Sequence, residues 1–188
     1  MYLENVVFDA IDPRLLGRSW ETRLGTTTLT DVPEGFETRL DLADGAYLDL
    51  CFQRVPEQPT GTERLRLVVA EPGTLAALSL ESADPERDRD FWAWLSGWVP
   101  VAGGAVALRH PSLAGPVLEL VPERAPKGAA KNPVHLDVRL EGEDPDTVAA
   151  AIAEHGGREL ELGYGDLPWR HYADPSGNEL CVLNASTS

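Results

Sequence analysis

Apolar and polar positions along this chain repeat one arrangement three times. Each copy opens with a strand-like apolar run, over Val6–Ala10, Ala77–Ser82 and Val134–Leu140. Each run leads to an Asp-Pro pair: Asp12-Pro13, Asp84-Pro85 and Asp144-Pro145. An aspartate at a helix N-cap accepts backbone N–H groups that lack an intrahelical partner, and proline at the first helical position has no N–H to lose. The spacing behind each pair is helical. Leu16, Trp20 and Leu24 share a face in the first copy, Phe91, Trp94, Leu95 and Trp98 in the second, and Val148, Ala151, Ile152 and His155 in the third. Glycine marks each end, at Gly25, Gly97 and the pair Gly156-Gly157. His155 therefore reads as a helix-end histidine.

Short β runs follow each helix, separated by turns at Asp44-Gly45, His110–Gly115 and Asp174–Asn178. One strand, one helix and three strands per copy is the simplest organisation, with Pro56–Gly61 and Pro122–Pro133 as linkers. The Asp-Pro pairs are 72 and 60 residues apart, which leaves a surplus before the second copy. The surplus contains a strand-like run, Arg64–Ala70, and RVPEQPTGTERLRLVV parallels ERAPKGAAKNPVHLDVRL, so this run reads as the remnant of a lost module. The expected division is a half-domain over residues 1–72, one module plus the remnant strand, followed by a complete module pair over residues 73–188.

Composition narrows the function classes. A 188-residue chain buries about 70% of its extended surface, enough for a core without disulfides. Cys51 and Cys181 lie in separate apolar runs and read as free, packed thiols. The 31 acidic residues exceed the 16 basic ones, and a formal charge of -15 disfavours a nucleic-acid partner. No apolar run is long enough to span a membrane and MYLENVVFDA is not a signal peptide, so the expected location is the cytoplasm. Serine-hydrolase, nucleotide-binding and zincin motifs are absent.

The stretch KNPVHLDVRL, the Asp-Pro helix with its Gly-Gly end and the closing HYADPSGNELCVL resemble the actinobacterial glyoxalase-like group of the vicinal-oxygen-chelate superfamily, which includes the glyoxalases and bleomycin-resistance proteins. The resemblance covers Leu75–Asn184, and Glu4–Val55 more weakly. It implies an α+β fold of tandem βαβββ modules whose curved mixed sheets form an open, barrel-like cleft with the helices outside. By that pattern Leu136, Val138 and Leu140 pack under the helix while His135, Asp137 and Arg139 face the cleft. Glu179 and Cys181 face inward likewise.

Metal ligands in the superfamily come from the first strand and from the position four residues after the last hairpin glycine. The first position falls here on Asn5, Ala77 and His135, the second on Asp49, Glu119 and Cys181. The expected pair of modules thus offers Glu119, His135 and Cys181 as metal ligands, with Ala77 contributing nothing. Imidazole, carboxylate and thiolate suit zinc, iron, manganese or nickel, although the broken set makes no cofactor obligatory. Glu119 and His135 are the candidate acid–base pair. Of the aromatics Trp92, Trp94, Trp98, Tyr164, Trp169 and Tyr172, Trp169 alternates with His171 on one strand face, and these two are the better ligand contacts. Gly163–Pro168 carries two glycines and could act as a lid.

The implied function is a protein that binds a small metabolite or antibiotic in the cleft of the C-terminal module pair through Asp137, Arg139, Trp169, His171, Glu179 and Cys181. The alternative is a metal-dependent, glyoxalase-like lyase or isomerase, and no motif decides whether the chain is an enzyme. The unpaired first module, with uncovered sheet edges, predicts a homodimer.

Overall fold

The computed structural model describes residues 1–103, 106–163 and 167–186. Tyr164 and the centre of the expected lid, residues 164–166, lie outside them. The first module is β1 (Tyr2–Ala10), α1 (Pro13–Leu24), β2 (Thr27–Val32), β3 (Gly35–Asp41) and β4 (Tyr47–Arg54). An extra strand, β5 (Leu65–Ala70), precedes the second: β6 (Thr74–Ser82), α2 (Pro85–Ser96), β7 (Val99–Pro100), β8 (Ala107–Arg109) and β9 (Val117–Pro122). The third comprises β10 (Val134–Arg139), α3 (Pro145–Glu154), β11 (Arg158–Leu160), β12 (Trp169–Ala173) and β13 (Glu179–Leu183). None of these helices is long and apolar enough to cross a membrane.

The capping chemistry read from the sequence is in place. Asp12, Asp84 and Asp144 accept from the backbone N–H groups of Leu15, Arg87 and Thr147. Gly25 and Gly97 end their helices in the left-handed conformation, while α3 ends at His155 just before Gly156.

Module pairing differs from the expectation. An eight-stranded sheet runs β11-β12-β13-β10-β1-β4-β3-β2, joining the first module to the third, and a separate five-stranded sheet runs β5-β6-β9-β8-β7. Antiparallel β1 and β10 form the seam, from Tyr2 opposite Arg139 to Phe8 opposite Val134. In the second module, β5 pairs antiparallel with β6 and takes the edge that a partner's first strand would need. Because β6 has β9 on its other side, no ladder position is left there for β10. The ground for expecting residues 1–70 to seek a partner copy is therefore removed: the free edge of β1 is covered within the chain.

One continuous apolar cluster joins both sheets, with Val6, Leu50, Leu78, Leu95, Leu118, Leu136 and Ile152 among its members. Leu136, Val138 and Leu140 are buried, as the strand alternation predicts. On α2 the buried indole is Trp92, and Trp98 just past the helix end is buried as well, whereas Trp94 is half-buried and stacks on the His155 ring, centroids 4.3 Å apart. Trp92 Nε1 donates to Asp174 at 3.2 Å, which ties α2 to the turn before β13. From the same turn, Asn178 Oδ1 accepts from buried Arg64 Nε at 2.7 Å, and Arg64 also donates to Glu123 and to the Ala125 carbonyl. Asp174–Asn178 is thus both a hairpin turn and the dock between the second and third modules.

Helix α1 lies close against β3 because Gly17 has no side chain. A methyl group there would approach the buried Phe36 ring to 2.1 Å. Glycine inside a helix ordinarily costs about 1 kcal/mol relative to alanine, so helix propensity alone predicts that Gly17→Ala stabilises the protein. The packing predicts the reverse, a loss of about 1–3 kcal/mol from overpacking. Urea unfolding midpoints of the two proteins decide between them, and a higher midpoint for Gly17→Ala would refute the close approach.

Candidate functional site

Strand alternation places one side-chain set of the eight-stranded sheet in a cleft of about 1000 Å³ lined by the first and third modules. The ladder aligns the floor. On one row of paired positions stand Asp49 on β4, Asn5 on β1, Asp137 on β10, Cys181 on β13 and His171 on β12. A second row carries Glu37 on β3, Cys51 on β4, Val7 on β1 and His135 on β10. Apolar walls come from Val55, Pro56, Leu162, Leu167, Pro168 and Trp169.

Three side chains meet at the centre. His135 Nε2 stands 3.5 Å from Cys181 Sγ and 3.4 Å from Asp137 Oδ1. Asn5 Nδ2 donates to Asp137 Oδ2 at 3.4 Å, which orients the Asn5 amide. All four are buried, yet among the described residues Asn5 Oδ1, Asp137 Oδ1 and His135 Nδ1 have no hydrogen-bond partner. A buried polar atom left unpaired costs about 1–3 kcal/mol, so three in one concavity mark a floor suited to an added partner.

Burial controls the protonation of this floor. It pushes the His135 imidazole down to about 3, with nearby Lys131 and His171 acting in the same sense, so the ring is neutral. The Asp137 carboxyl is pushed up to about 7 by burial, against the lowering effect of hydrogen bonds from Asn5 and Cys181. Burial, and then Asp137, raises the Cys181 thiol, and burial, followed by Glu37, raises Cys51. Both cysteines are free thiols. At the mouth, Trp169 Nε1 donates to His171 Nε2 at 3.3 Å, so the neutral ring carries its proton on Nδ1.

The structure brings His135, Asp137, Arg139, Trp169, His171, Glu179 and Cys181 together in this cleft. Glu119 is not among them. It sits on β9 of the other sheet, opposite Ser79 and Ala107, so the expected Glu119–His135 pair and the Glu119, His135, Cys181 ligand set do not form. The physical reason is the occupied edge of β6: with β5 there, the second module cannot face β10. Asp137 takes the place of Glu119 beside His135 and Cys181. Asp49, at the other superfamily position on the row, is held by Arg39 in a two-point ion pair of 2.8 and 2.6 Å. Tyr172 is buried on the helix side.

The sequence reading passed over Glu37, Cys51, Asp9 and Lys131, all of which line the cleft. Their signal was present in the period-two patterns Asn5, Val7, Asp9 and Gly35, Glu37, but it points to a cleft only once the first module is known to face the third.

Two βαβββ modules joined edge to edge through their first strands, with the cleft on the inner face, define a member of the vicinal-oxygen-chelate superfamily. The chain belongs to the family described as the glyoxalase-like domain, whose model matches residues 77–183. No curated protein matches the sequence. Among solved structures, glyoxalase I from Zea mays is 16% identical with a TM-score of 0.57, over 97% of this chain and 92% of that one. A glyoxalase/bleomycin resistance protein from Albidiferax ferrireducens T118 is 21% identical with a TM-score of 0.42, over 57% of this chain and 95% of that one.

The Asp137 carboxyl gives the site a pH signature in metal-free protein. Its native value near 7 lies above the value of about 3.9 for an unfolded aspartate. The folded chain therefore holds an extra proton between those values, and the carboxyl's contribution to stability falls as pH rises through that window. Asp137→Asn abolishes this loss. On going from pH 5 to pH 8 the variant should gain on the parent by on the order of 2 kcal/mol, read from urea midpoints in EDTA, whereas an unchanged difference would contradict the assignment.

Proposed function

We propose that this protein binds a small organic molecule in the cleft between its first and third modules, with no obligatory metal. The observation that carries the reading is the concavity itself: about 1000 Å³, apolar walls, and three buried polar atoms on the floor without partners among the described residues. Ligand sites commonly combine an apolar lining with a few convergent polar groups that fix orientation. Trp169 offers a flat face for an apolar or aromatic body, while Asn5, His135 and Asp137 address its polar end. A thermal-shift and tryptophan-emission screen of metal-free protein against small metabolites and antibiotics tests the reading. Saturable binding is expected, weakened about tenfold by Trp169→Ala, as for a lost aromatic contact of about 1.4 kcal/mol. Failure of every compound to bind would overturn it.

One observation favours a second reading, a metal-dependent enzyme of the lyase or isomerase kind. The donor atoms of His135, Asp137 and Cys181 lie within 4.8 Å of one another. A tetrahedral ion with bonds of about 2.0–2.3 Å requires donor separations of roughly 3.3–3.6 Å, and the 3.4 and 3.5 Å spacings fit. His135 through Nε2, Asp137 and Cys181 would hold the ion, zinc being favoured by the thiolate over iron, manganese or nickel. A bound divalent ion supplies Lewis acidity toward a ligand oxygen. The chain itself contributes a neutral imidazole ready to coordinate, two acidic hydrogens released on binding, and His171 at the mouth as the nearest further base. Mass spectrometry of tag-free protein purified without chelator should then find about one ion per chain, lost in His135→Ala. No ion, even after reconstitution with zinc, iron, manganese or nickel, removes this second reading and leaves the first.

A further inference from the structure

Charge in the cleft is unevenly compensated. Among the described residues four carboxylates line it, those of Asp9, Glu37, Asp137 and Glu179, with the cations Arg54, Lys131 and Arg139. Lys131 Nζ is bound to both oxygens of Asp9 at 2.8 Å, and Glu179 is paired with Lys127 at 3.0 Å. Arg139 is taken by Glu4, at 2.6 Å through Nε, and by the Asn184 carbonyl. Exposed Arg54, at the rim, donates to the carbonyls of Ile11 and Pro33.

Two carboxylates are then left with no lysine or arginine partner among the described residues. Glu37 receives only neutral donors, the Cys51 thiol at 3.2 Å and the Thr30 hydroxyl at 3.1 Å. Asp137 is approached by the Asn5 amide at 3.4 Å, the neutral His135 ring at 3.4 Å and the Cys181 thiol, and Arg139 acts on it only through space. Both act electrostatically on the Cys51 thiol, which lies next to Glu37 across the β3–β4 ladder.

An independent observation points the same way. Asn5 Oδ1 and Asp137 Oδ1 are acceptors on residues only 7% exposed that line the cleft, and among the described residues neither has a hydrogen-bond partner. Acceptors short of donors and carboxylates short of cations demand one kind of complement, a positively charged N–H donor. A neutral ether, an acid or a hydrocarbon would leave both demands unmet.

We propose, resting on the small-molecule reading above, that the ligand of this cleft is an organic cation, its ammonium or amidinium group seated between Glu37 and Asp137 and its apolar body against Trp169. The unpaired carboxylates of Glu37 and Asp137 supply the field that holds the charge. The two carboxylates come from different modules, so the cation is read only where the modules meet.

The test uses the full, EDTA-treated chain at pH 8 and matched probes: benzamidine with benzamide and benzoate, and phenethylamine with 2-phenylethanol. Calorimetric titration should show the cations binding at least tenfold tighter than their neutral counterparts, benzoate weakest of all, and the preference shrinking as NaCl is raised. Glu37→Gln, a half-buried position whose amide keeps the side chain's size, should cut the preference to threefold or less. Asp137→Asn should do the same. Neutral or anionic probes binding as well as the cations, or a preference that survives both substitutions, would overturn the charge assignment while leaving a small-molecule cleft in place. If no probe of any charge binds and the broader screen is also silent, both proposals fall together.

Discussion

The antiparallel ladder between β1 and β10 is the contact on which the site depends. It is made by two strands buried on nearly their whole length, and a ladder buried on both faces has no water to replace its hydrogen bonds. That seam fixes the register of everything beside it. Asn5 lies opposite Asp137 and Val7 opposite His135, and parallel pairing then sets Asp49 beside Asn5 and Cys181 beside Asp137. Shifting the seam by one residue would turn each cleft side chain into the apolar core and each core side chain into the cleft, so the core residues of one face hold the polar geometry of the other.

The second module supports this arrangement without sharing in the cleft. Its sheet is closed on one side by β5, and α2 bridges to the third module through Trp92 and the Asp174–Asn178 turn. Arg64 is almost wholly buried, yet its guanidinium is met by Asn178, Glu123 and two carbonyls, the saturation that a buried cation requires. β13, which follows that turn, carries Glu179 and Cys181. The polar dock and the cleft are therefore two ends of one short segment.

The floor of the cleft combines deep burial with a shortage of internal partners. Burial alone favours the forms with least charge: a neutral His135, an un-ionised Cys181 and an Asp137 poised to titrate near neutrality. At the dock between the second and third modules, Arg64, Asp174 and Asn178 are by contrast engaged with one another and with their neighbours.

Much of the architecture was legible in the order of residues, because its causes are local. Asp-Pro caps, glycine stops, helical spacing and period-two strands depend on neighbours a few positions away, and they yielded the three modules and the extra strand; that His135, Asp137, Arg139, Glu179 and Cys181 turn inward was implied by the resemblance to the glyoxalase-like group. Which modules meet was not legible. Strand edges of similar apolar character compete for the same partners, and the competition is decided by whether β5 already occupies β6, a contact that no local pattern records. That choice moved Glu119 out of the site and brought in Asn5, Glu37 and Cys51. The sequence by itself determined the modules and which side chains share a face; the tertiary structure decided which of those faces meet, because facing is set by long-range ladder pairing and shared burial.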